Sequence, residues 1–173
     1  MSRRLEAIAA ALEAVNRWTG AAVRWLALAM VLLQFAVVLL RYVFGVSFIA
    51  ATEGVLYLHA ALFMLGAGMT LLLDGHVRVD IFYARWSPRA QRQLDRWGAL
   101  LLLLPAMVLL LWVTWPFVRN SWAILEGPIS VGGLPASFLL KSLIPAFCLL
   151  LIVQGLAGLL RGILQDRAER QGA

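Results

Sequence analysis

The sequence predicts an all-α integral membrane protein with four spanning helices and both termini in the cytoplasm. Two observations predict the fold and a third sets its orientation. Hydrophobic residues make up 62% of the 173 positions and charged residues only 14%, against 45–50% apolar in a usual soluble domain. The charges gather between four long apolar runs, as in a chain that uses lipid as solvent. Basic residues also lie unevenly about those runs.

The runs are 25–44, 54–73, 97–118 and 135–160. A helix needs about 20 residues to cross the hydrocarbon core, and all four runs are long enough. Backbone groups in lipid must pair within the segment, so each run is expected to be helical; the short alternating segments of a barrel are absent. No repeat or Pro/Ser-rich linker divides the chain, which reads as one domain, 1–173.

Residues 1–24 precede the first run and hold Leu5, Ile8, Leu12 and Val15 at helical spacing, with Arg4, Glu6 and Glu13 off that stripe. The pattern predicts an amphipathic helix on the cytoplasmic surface, the alternative being a frayed polar terminus. A cleaved secretory signal has a shorter core and a shorter basic start, so cleavage is not expected. Gln34 and Arg41 interrupt the first run, and His59 is the titratable residue of the second.

Asp74-Gly75 is expected to end the second helix, with glycine in the left-handed cap. Ser87-Pro88 then reads as an N-cap and first turn, opening a short surface helix between spans two and three. Arg85, Arg89, Arg92 and Arg96 fall on one face of that helix, available to membrane lipid phosphates or a partner, or simply solvated. Pro105 and Pro145 should bend the third and fourth helices, and Pro135 should open the fourth. Gly158 and Gly162 suggest close helix packing. The tail is 161–173.

Of the fifteen basic residues, twelve lie before the first run, between the second and third, or in the tail. The opposite side has Arg41, Arg119 and Lys141. The positive-inside rule therefore puts both termini and the middle loop in the cytoplasm. The net charge of +6 thus serves orientation and lipid headgroups, and nucleic acid is not an expected partner.

Little catalytic chemistry is visible. There is no phosphate loop, no cysteine pair, and no nucleophile with a base nearby in sequence; an enzyme is not expected. Cys148 reads as a small buried hydrophobe. His59 and His76 are 17 residues apart, about 25 Å along one helix, too far for a shared haem. Asp74, His76 and Asp80 match no metal-ligand spacing. No acid lies deep in a span. Gln34, His59 and Gln154 are the strongly polar groups at depth, expected to serve as hydrogen-bonding glue between helices. Lys141 is near enough to the outer surface to snorkel, and Arg41 and Glu53 flank the first outer loop, where they could pair. The reading is a bundle that supports something else, without its own pathway.

In their order around four helices, several segments resemble the small integral-membrane (Q-type) subunit of tripartite ATP-independent periplasmic (TRAP) transporters. They are Arg41-Tyr42-Val43-Phe44, Glu53, Asp74-Gly75-His76-Val77-Arg78-Val79-Asp80 (like the family's H-V-x-V-D), Trp86-Ser87-Pro88-Arg89, Gly133-Leu134-Pro135, Lys141 and Pro145. The resemblance covers about 25–162. It implies a multi-pass protein of the bacterial inner membrane that packs as a static frame against a large permease subunit. That partner, expected as a separate chain since this one stops at Ala173, would hold sodium and an organic-acid substrate delivered by a periplasmic substrate-binding protein. No cofactor is expected in this chain. The resemblance also directs attention to Arg41, Glu53 and Lys141 at the periplasmic end, in packing or docking. His76 and Asp80 would tie the turn below helix two, and Arg85, Arg89 and Pro145 are further structural or partner-contact candidates. A membrane anchor or cytochrome-type subunit of a redox complex is the main alternative. A small drug-proton antiporter would need an acid where the first span offers Gln34.

Overall fold

The computed structural model describes residues 2–76, 83 and 85–171. The described residues are helical with connecting turns and contain no strand. The helices are α1 (Ser2–Val43), α2 (Ile49–Leu72), α3 (Pro88–Gly98), α4 (Leu104–Ala123) and α5 (Ser137–Gln171), with a π-helical turn, Ala99–Leu103, joining α3 to α4. Four helices are long and apolar enough to cross a membrane: α1, α2, α3 continued into α4, and α5.

The surface segments expected at the start of the chain and before the third span are not separate helices. Residues 2–43 contain no proline, and α1 runs through them unbroken for 42 residues. Ser87 does cap α3, its Oγ accepting from Ala90 N at 3.3 Å, with Pro88 in the first turn. Yet α3 continues into α4 through the π turn, where Leu104 N–H reaches back to the Ala99 carbonyl. Pro105 lies just past it; lacking an N–H, it cannot complete the α-helical ladder there. A further proline, Pro116, lies inside α4. Residues 161–171 of the tail are the last part of α5, and Pro135 lies two residues before that helix begins.

The helices α1, α2 and α5 pack against one another, and of these three α4 packs chiefly on α5. Close approach depends on small residues. A Cβ at Gly20 would lie 2.6 Å from Met69 Cγ, and one at Gly68 would overlap the Asn16 amide, so α1 and α2 meet with no room for a side chain. Gly155 similarly faces Leu103 and Leu104. Gly158, by contrast, has nothing within 4 Å, so the expected Gly158/Gly162 pair is not a packing face; only Gly162 is approached, by the Arg96 guanidinium. At the end of α2 the left-handed residue is Asp74 (φ 55°), not Gly75, whose N–H instead closes on the Thr70 carbonyl at 2.9 Å. Aspartate is among the few residues that tolerate this conformation.

Candidate functional site

One end of the bundle carries the loop 124–136 and the start of α2. There Glu53, 7% exposed, does not pair with Arg41. Its carboxylate accepts Ser130 N–H at 3.0 Å and Leu134 N–H at 2.7 Å. A side chain at Gly133 would collide with that carboxylate, so the glycine lets the loop close around it. Two N–H groups satisfy the buried charge, and the charge orders the loop. Arg41 is exposed at the end of α1.

Beside this clasp, Lys141 donates to Glu126 and lies 3.9 Å from the centre of the Phe117 ring. Ser121 Oγ donates to the same carboxylate at 2.6 Å. Lys141 first, then Ser121, hold the Glu126 carboxyl below the ordinary glutamate range. Trp122 Nε1 donates to Ser142 Oγ at 2.7 Å and its ring meets Phe138 edge-on. Sequence reasoning did not single out Glu126; an acid facing Lys141 across a short loop was the available signal. Pro145 lies inside α5, half-buried.

The end carrying the termini is held differently. Glu13, predicted to lie off the apolar stripe of α1, is buried and accepts from Arg161 Nε at 2.7 Å and Nη2 at 3.0 Å. Ile8 and Val15 of the predicted stripe are instead about half exposed, at 50% and 46%. The buried face is Ala9, Glu13, Asn16 and Val23. A charged residue can occupy it because α5 presents a matching arginine. The Arg161 hydrogen bonds hold the Glu13 carboxyl below its ordinary value against the opposing cost of burial, and Arg17 adds to them. Glu13 in turn pushes Arg161 up.

One turn on, Asn16 is fully buried and donates to Gln154 Oε1 at 3.1 Å and the Leu150 carbonyl at 3.3 Å. Gln154 is thus interhelical glue, as expected, but Gln34 and His59 are not: both are exposed on the outside of the bundle.

The arginine face of α3 is turned to the end of α5. Arg92 Nη2 meets both Glu169 oxygens at 2.7 and 3.0 Å, Arg89 lies 3.8 Å from the same carboxylate, and Arg96 pairs with Asp166 at 2.8 Å. Arg85 is exposed in the turn before α3. A groove of about 620 Å³ lies between these elements, with Leu71, Leu102 and Leu159 among its apolar lining residues and Arg96 and Arg161 among the charged ones. His76 is exposed beyond α2. Asp80 lies outside the described residues, so its contact with His76 does too. Among the described residues no three His, Cys, Asp or Glu side chains gather as a metal site. What both ends can do is hold distant segments together.

Residues 30–165 match the family model described as tripartite ATP-independent periplasmic transporters, DctQ component. The chain belongs to this family of transporter components, as its small subunit. Neither a curated protein nor a solved structure matches it.

Proposed function

We propose that the chain is the static membrane frame of a sodium-coupled organic-acid transporter, working with a separate large permease subunit and supporting the docking of a periplasmic binding protein. Both termini lie in the cytoplasm of a bacterial cell in this reading, and the spans cross the inner membrane. Family membership supplies the transporter. The observation that carries the frame is the fastening of the bundle at both ends. Glu53 grips a loop 77 to 81 residues away, and Glu13 grips α5 across 148 residues. Helices tied in this way suit a part that stays still while a partner moves.

The clasp also redistributes the docking candidates. Glu53 is buried and committed to the loop, so Arg41 and the exposed Tyr42 and Phe44 beside it are the groups offered to a periplasmic protein. Lys141 shapes the neighbouring surface through Glu126.

Reconstitution tests this reading. Uptake of a labelled organic acid into proteoliposomes should require this chain, the large subunit, the binding protein and an inward sodium gradient together. Uptake by this chain alone, or purification as a stable lone oligomer with a haem absorption band, would overturn it.

A further inference from the structure

Two polar side chains point away from the bundle inside its apolar runs. Gln34 lies seven residues from Arg41, and His59 lies six from Glu53. At helix rise each is therefore about 10 Å inside the nearest charged position of its own helix. Both are exposed, and neither side chain makes a hydrogen bond among the described residues. The register of the antiparallel pair is given by its glycines, with Gly54 against Leu33 and Gly66 against Val23. Gln34 thus sits near the level of Gly54, about five residues or 8 Å from the level of His59. On α2 the exposed residues Thr52, Leu56, His59 and Phe63 follow at intervals of four, three and four, which makes one stripe.

The outward side of α4 is a contrast within the same molecule. It presents Val108, Leu109, Trp112 and Val113, all more than half exposed. The hydroxyl of Thr114 is satisfied by the Leu110 carbonyl at 2.7 Å. Lipid tails offer no hydrogen bond, so α4 suits them and Gln34 and His59 do not. Intramembrane polar groups of this kind face protein.

We infer that the outer side of the α1–α2 pair, marked by Gln34 and His59, is the seat of a transmembrane helix of the large permease subunit, and that this helix presents hydrogen-bonding groups to both. The outer side of α4 is left to lipid. The inference rests on the small-subunit reading and adds to it which face is covered and by what chemistry.

The test uses membranes that contain the transporter's own large subunit. Tagged wild-type chain is first purified from them; absence of the large subunit would overturn the subunit reading itself and this inference with it. Given co-purification, a photo-crosslinking residue is placed at Gln34, His59, Leu109 or Trp112 in turn. Adducts with the large subunit are expected from positions 34 and 59 and not from 109 and 112. Adducts from 109 and 112 alone, a dimer of this chain from 34 and 59, or no adduct from any position would each overturn the assignment. The paired substitution Q34L/H59L should lower the co-purified large subunit by about three- to tenfold. W112L should leave it unchanged, with helical circular dichroism retained in both. An undiminished yield with Q34L/H59L would also overturn the inference.

Discussion

The two ends of the bundle are fastened by different chemistry. Where the termini lie, long side chains meet long side chains: Glu13 with Arg161, Arg92 with Glu169, Arg96 with Asp166. Most of these partners are partly exposed, and the contacts are several. At the opposite end one buried carboxylate, Glu53, holds a loop by its backbone. The Arg92–Glu169 and Arg96–Asp166 pairs are partly solvated and lose little when one member goes, because water replaces it. Glu13 is as buried as Glu53, but its partner Arg161 is half exposed. A buried carboxylate serving two N–H groups has no such substitute. The same element, oxygen against N–H, is thus distributed at one end and concentrated at the other.

The sharpest break in that comparison is Glu53→Ala. It strands two backbone donors that the loop has organised around the charge, and should cost about 3 kcal/mol or more. Thermal unfolding in detergent and protease cleavage within 124–136 would measure it. Gly133→Ala reaches the same site from the other side by forcing a methyl group against the carboxylate, at about 1–3 kcal/mol.

Asn16 comes next. Gly68→Ala should destabilise by about 1–3 kcal/mol because the new methyl overlaps the Asn16 amide. Combined with Asn16→Ala the loss should be clearly less than additive, since the second change removes the clash. Strict additivity would mean that the two side chains do not share this space.

Smaller still is Glu13→Gln, about 1 kcal/mol once the solvation of its half-exposed arginine partner is allowed for. It has a pH signature. Folding lowers the Glu13 pKa, so its stabilisation is complete above the ordinary value of 4.5 and fades as pH falls through the lower folded value. Melting temperature should therefore drop on acidification below about 4.5, and drop less steeply in E13Q. The smallest effect is Glu169→Gln, under about 0.5 kcal/mol, because the Glu169 side chain and its partner Arg89 are solvent-exposed. A loss as large as that of E53A would erase the distinction between the ends.

Part of this arrangement was legible in advance. The spans follow from apolar runs, and Ser87-Pro88 announces a helix start because capping is local chemistry. The Glu53 clasp was not legible: its partners are main-chain N–H groups of Ser130 and Leu134, and every non-proline residue carries such a group. Gln34, His59 and Gln154 look alike in sequence, each a polar residue in an apolar run. Only Gln154 finds a partner inside, because α1 brings Asn16 to it. Misreading the α1 stripe has the same origin. Glu13 looks like a solvent residue until Arg161 arrives from 148 positions away.

By itself the sequence determined how many helices cross the membrane and where short-range signals begin one of them. Those properties depend on each segment's own transfer into lipid and its own hydrogen bonds. Tertiary structure alone decided which face of each helix is inside, which acid meets which base, and which polar groups are left pointing outward. Those depend on neighbours distant in the chain, and a lone helix in lipid has no reason to prefer one face.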